Sequence, residues 1–140
     1  MSYKAILFGI LLLLAVPAVS SAQMLFQGSV SGTGFCNGAA TKFKGTWFFA
    51  FLGLAMVVAT DRQFTDVIAT MLQDEIFATS QTAGAFIYTQ DDTNGVGMFA
   101  ATFQGSENLP TSFKGNLNEV NRTNGCFETV TIKSAKQIVP

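Results

Sequence analysis

The chain of 140 residues contains no histidine. Ser-His-Asp and Cys-His mechanisms are therefore excluded, along with the commonest metal ligand. The side chains left for chemistry are two cysteines, Cys36 and Cys126, and a few carboxylates: the adjacent pairs Asp74-Glu75 and Asp91-Asp92, and Glu128. The cysteines lie far apart with no CxxC spacing. They read as one disulfide of an exported chain and not as metal ligands or a redox pair, so no metal and no cofactor is implied. Adjacent acids on a strand point to opposite faces, and aspartates in a turn serve backbone hydrogen bonds, so neither pair reads as a catalytic dyad. DDTNG also lacks the further oxygen ligands of a calcium loop. Glu128 stands apart because it alternates with Cys126, Val130 and Ile132 on one strand face. If that face is interior, Glu128 lies either at a rim or buried with a raised pKa, and the second would be a cue to function.

The disulfide requires an oxidising compartment, and the N-terminus supplies the route. Lys4, the apolar stretch AILFGILLLLAV and the small residues Ser20-Ser21-Ala22 form an export signal over residues 1–22. The mature chain then begins at Gln23, and its 118 residues fit one domain, 23–140. The expected location is secreted, periplasmic or extracellular. Without Lys4, seven basic residues face nine acidic ones in no run of either sign, which argues against nucleic acid as a partner.

Strand signals dominate what must position these groups. Phe113, Gly115 and Leu117 oppose Ser112, Lys114 and Asn116; Met24, Phe26 and Val30 oppose Gln27 and Ser29; Val130 and Ile132 oppose Thr129, Thr131 and Lys133. A Phe-Lys/Gln-Gly tripeptide recurs at Phe26, Phe43, Phe103 and Phe113, placing a glycine beside a ring on the same face. Asn94-Gly95 predicts a hairpin with arms 85–90 and 96–104, because both residues accept positive φ, and Asn124-Gly125 predicts another turn just before Cys126. In DRQFTDVIATMLQDEIF, Phe64, Val67, Ile68, Met71, Leu72 and Ile76 fall at helical spacing behind a Thr60/Gln63 capping pair, predicting one short helix over 62–77. The uncharged run 45–60 is shorter than a membrane helix needs, and its aromatic and β-branched content predicts one buried strand and argues against a membrane anchor. The fold class expected is mainly β: a small antiparallel barrel or strongly curved sheet with one short helix.

The order of these pieces resembles a loose group of small exported bacterial proteins of unknown function. The matching pieces are Cys36, then Gly45-Thr46-Trp47-Phe48-Phe49-Ala50-Phe51, then AGAFIYTQDDTNGVGMFAATFQG, then FKGNLNEVNRTNGCFETVTI. Residues 116–120 depart from that pattern, and 62–77 is longer than the loop it has there. Gly45-x-Trp47 is also similar to the first strand of lipocalin-like barrels, and allene oxide cyclase and dirigent barrels share the expected architecture. The resemblance implies a barrel or curved sheet and carries no established activity.

Three roles follow as expectations. The rings of Phe43, Trp47, Phe49, Phe51, Phe86, Tyr88, Phe99 and Phe103 could line a pocket for an apolar small molecule, or simply fill the core. Low charge and edge strands suit a structural or interaction protein, including self-association. A metal-free barrel isomerase would need an interior carboxylate, for which Glu128 is the candidate. Asn121-Arg122-Thr123 fits a glycosylation acceptor if the host is eukaryotic.

Overall fold

The computed structural model describes residues 24–107 and 109–139. The export signal expected over 1–22 lies outside the described residues. Eight strands fill most of the described chain: β1 (Leu25–Cys36), β2 (Ala39–Leu52), β3 (Ala55–Ala59), β4 (Val67–Ala78), β5 (Ala83–Asp91), β6 (Gly95–Ser106), β7 (Leu109–Asn121) and β8 (Phe127–Val139). Each pairs antiparallel with the next, and β8 returns to β1, so the sheet closes into an up-and-down barrel.

Alternation decides which face each residue takes. Phe26 and Val30 on β1, Phe113 and Leu117 on β7, and Val130 and Ile132 on β8 are buried as expected, while Ser29, Lys114, Thr129 and Thr131 face out. The interior is aromatic. Phe113 meets Phe26, Phe49, Phe51, Phe86 and Phe99 at ring-centre distances of 5.1–5.7 Å. Most of these contacts are edge-to-face, the arrangement ring quadrupoles favour. Gly28 makes the packing feasible, since a methyl there would meet the Phe49 ring at 3.1 Å and Ala135 at 3.0 Å.

The helix expected over 62–77 does not form, and no helix occurs among the described residues. Residues 60–66 are a loop in which Asp61 Oδ1 accepts the Thr65 and Asp66 amides at 3.0 and 3.1 Å, and Phe64 takes a φ of 56°. The rest is β4. Register shifts at Ile68 and Asp74 insert one extra residue each, so Ala69, Met71, Gln73 and Ile76 all face inward. Two bulges stretch the strand period until it imitates the helical one. Leu72 completes the imitation from the outer face, where it is 65% exposed.

The uncharged run 45–60 is likewise not one strand. Gly53, with φ 67°, and Leu54 turn the chain between Leu52 and Ala55, which pair across the turn, so the run is a β2–β3 hairpin. Trp47, Phe49, Phe51, Met56 and Val58 are its large buried side chains. No helix among the described residues is long and apolar enough to cross a membrane.

The disulfide forms as expected. Cys36 and Cys126 are bonded, with Cα atoms 4.7 Å apart, at the end of the β1–β8 seam that closes the barrel. Phe35 and Phe127 stack beside it at 4.4 Å. A 90-residue separation gives the bond a stabilising effect on the order of 4–5 kcal/mol through the unfolded chain.

Candidate functional site

The strand register brings two groups of residues together, one at the mouth of the barrel and one on its outer wall. The mouth lies at the disulfide end. One inward-facing rung there runs Gln90, Gly97, Glu119, Glu128, Gly34 across β5, β6, β7, β8 and β1. Glu128 is thus on the interior face and half-buried, and directly opposite it stands Glu119. Burial first, then Glu128 and Asp92 nearby, push Glu119 up to about 7. Burial also raises Glu128. Two facing carboxyls whose ionised forms repel can divide into an acid and a base near neutral pH. A cavity of about 230 Å³ adjoins them, bordered by Ile68, Asn124 and the disulfide.

The β5–β6 turn shapes this mouth. Asp92 Oδ1 accepts the Asn94 and Gly95 amides at 2.8 and 3.0 Å, and these bonds hold the Asp92 carboxyl below its usual range. The predicted hairpin is present, but neither Asn94 nor Gly95 takes the positive φ expected; the aspartate organises a three-residue loop instead. Arg122 bonds the Asp91 carboxylate and the Asp92 carbonyl, each at 2.7 Å, latching the β7–β8 turn to this one. Asn121 heads that turn with its side-chain oxygen accepting the Thr123 amide at 2.8 Å.

The second group lies outside. Adjacent outward rungs Phe77, Ala85, Thr102, Lys114 and Ile87, Ala100, Asn116, Thr131 cross β4 to β8. Small residues at the centre leave an open groove of about 620 Å³. Phe77, 47% exposed, walls one end, and Lys114 and Lys133 stand at the other. The Thr131 hydroxyl and Asn116 Oδ1 pair with each other at 3.2 Å, which leaves the floor with little unsatisfied polarity. Among the described residues the ion pair is Arg122–Asp91, so neither groove lysine has a carboxylate partner.

The eight rings expected to line a pocket are brought together, chiefly as one another's neighbours. Phe49, Phe51, Phe86, Tyr88, Phe99 and Phe103 are buried inside the barrel, and burial pushes the Tyr88 phenol up to about 12. Trp47 is buried as well and stacks at 5.9 Å on Phe43, which is half-buried. The Asp74-Glu75 pair falls at the β4 bulge, on the exposed side. No cluster of three or more acidic or cysteine side chains among the described residues is arranged to hold a metal.

Sequence reasoning missed Glu119, Gln90 and the groove. Glu119 was accessible by counting in twos from Phe113 through Leu117, and the turn before Cys126 sets it opposite Glu128. The groove depends on which outer rungs coincide, which bulges decide. No family model matches the chain, and no curated protein matches it. Of the family resemblance, the closed barrel and its disulfide are what the structure supports.

Proposed function

We propose that the protein is an exported, non-catalytic binding protein that takes a small molecule with an apolar body and an anionic end in the outer groove of β4–β8. The observation that carries this reading is the groove itself. Its volume of about 620 Å³ lies within the range of ligand sites, its floor is built of Ala85, Ile87 and Ala100, and two unpartnered lysines stand at one end. The barrel rings enter as the rigid wall behind that floor; Phe86 backs it directly. Such a ligand differs from the purely lumenal one that aromatic content alone suggests, because rings in mutual contact already occupy the barrel's cross-section.

Titration with dodecanoate, and with dodecanol as the uncharged control, tests the reading by calorimetry. Dodecanoate is expected to bind, Lys114→Gln with Lys133→Gln to weaken it about tenfold, and Ala100→Phe to abolish it by filling the floor. Equal binding of the alcohol, or binding undisturbed by Ala100→Phe, removes the groove from consideration.

Self-association is a second reading, favoured by the free side of β2. β3 pairs with residues 48–52 of β2, so among the described residues 39–47 have no partner strand on that side, and exposed Leu72 and Met98 flank Thr89 on one outer rung. Sedimentation velocity across a hundredfold concentration range decides it: a constant monomer excludes this role.

A further inference from the structure

The sequence has no run of either charge sign, yet the fold sorts its charges. Every lysine among the described residues is exposed on an outer face: Lys42 and Lys44 on β2, Lys114 on β7, Lys133 and Lys136 on β8. With β1 these strands form one continuous wall in the order β2, β1, β8, β7. The acids on them, Glu119 and Glu128, point into the barrel, and the others lie on β4 and β5 or in the turns and loops. The 60–66 loop meets the wall through a further cation, Arg62, which donates to Gln27 Oε1 at 3.1 Å, while its Asp61 and Asp66 carboxylates are engaged by Thr65 and Thr60. Edge protection accounts for lysines on β2, whose 39–47 stretch has no partner strand on one side among the described residues. It does not account for those on β7 and β8, which are paired on both sides. Solubility is served as well by interspersed signs.

A hollow of about 550 Å³ opens on this wall, bordered by Lys42, Lys44, Ser31, Thr33, Thr129 and Thr131. One outward rung there runs Lys44, Ser31, Thr131 and the next runs Lys42, Thr33, Thr129. The Ser31, Thr33 and Thr129 hydroxyls make no hydrogen bond to another described residue, whereas Thr131 is paired with Asn116. A second hollow, of about 220 Å³, holds Lys114, Lys133, Ser112 and Ser134. Neighbouring strands lie roughly 4.8 Å apart, so the three steps from β2 to β7 separate the two groups of lysines by about 14 Å.

We propose that this wall binds an acidic polysaccharide laid across the strands, with its carboxylates on the lysines and its hydroxyls on Ser31, Thr33 and Thr129. Free hydroxyls that both donate and accept match those of a sugar, and lysines supply point charges to carboxylates spaced along a chain. The distance between the lysine groups exceeds the reach of one small anion, so affinity rests on several contacts made by one polymer. Single-stranded nucleic acid fits less well. The outward rungs between the lysines carry no ring on which bases would stack, and the Phe43 ring lies on the inner side, over Gly32 and against Trp47. An anionic bilayer fits less well too, because the large exposed apolar side chains of these strands, Leu109, Val120 and Phe127, lie at the strand ends. Lys42, Lys44 and Lys136 stand outside the β4–β8 groove, so the wall is a separate site.

The test is calorimetric titration of the oxidised mature protein, at low salt, with a dodecameric oligogalacturonate. Trigalacturonate, a neutral dextran of matched length, a dodecameric oligothymidylate and phosphatidylglycerol vesicles serve as comparators. The dodecamer is expected to bind saturably, about a hundredfold more tightly than the trimer, and to weaken as salt is added. Lys42→Gln with Lys44→Gln is expected to weaken it about tenfold, and Lys133→Gln with Lys136→Gln to do the same. All of these side chains are exposed, so the fold is retained. Thr33→Val with Thr129→Val is expected to weaken the sugar polymer and leave any residual affinity for oligothymidylate unchanged. Absence of dodecamer binding overturns the proposal, as does equal binding of the trimer or the dextran, binding of oligothymidylate or vesicles as tight as that of the dodecamer, or unaltered affinity in both lysine variants.

Discussion

Glu119 and Glu128 face each other across one rung where strand alternation demands that both point inward, and burial acts on the two alike. For Glu119 the sign of the consequence is fixed. Its folded value of about 7 lies above the ordinary 4.5, so the folded state holds a proton that the unfolded chain releases. The resulting stability is complete below pH 4.5 and is lost as the pH rises through 7. Asp61 and Asp92 act oppositely: hydrogen bonds lower both, and their contribution is lost on acidification. Urea midpoints are therefore expected to fall between about pH 5 and pH 8 in the native protein. In Glu119→Gln the fall should be largely removed and stability at pH 8 should rise. A variant with the native slope shows that Glu119 titrates normally.

The strands show how far pattern reading reaches. β1, β7 and β8 were legible because each keeps unbroken alternation between a buried ring or aliphatic chain and a polar neighbour over the stretch that matters. β4 was not, because its two bulges shift the phase twice within one strand, and exposed Leu72 adds an apolar residue where a period of two forbids one. The Asn37-Gly38 turn was within reach. Both residues take positive φ, 50° and 78°, between paired Cys36 and Ala39, which is the Asn-Gly signature that the chemistry at Asn94-Gly95 lacks. The outer groove depends on the β8 bulge at Lys133, across from Gly115, where an added methyl would lie 2.3 Å from the Ala100 carbonyl oxygen. Gly115→Val is expected to destabilise the barrel by about 1–3 kcal/mol or more in equilibrium unfolding, because backbone must move. A neutral result shows that β6 and β7 are not in this close register.

At the level of the molecule, three features bear on where and how it works. The first is closure: the disulfide ties the β1–β8 seam at the end opposite the Leu25–Val139 pairing, adding a covalent link to the contact between the first and last strands. Cys36→Ser with Cys126→Ser is expected to lower stability by about 4 kcal/mol without changing the oxidised fold's far-UV spectrum at low denaturant. A loss below about 1 kcal/mol shows that the seam holds itself. The second is the interior, where Phe113 touches five other rings and leaves rigidity in place of a lumen. The third is the outer wall, polar on β7, β8 and β1 and apolar across the groove floor. A filled barrel that binds must do so through its wall or its mouth. The most direct measurement is the set of intermolecular nuclear Overhauser contacts between bound dodecanoate and methyl- and ring-labelled protein. The account predicts contacts from the acyl chain to the methyls of Ala85, Ile87 and Ala100. Contacts to the buried rings of Phe51, Phe99 and Phe113 would contradict it, since they would place the ligand inside.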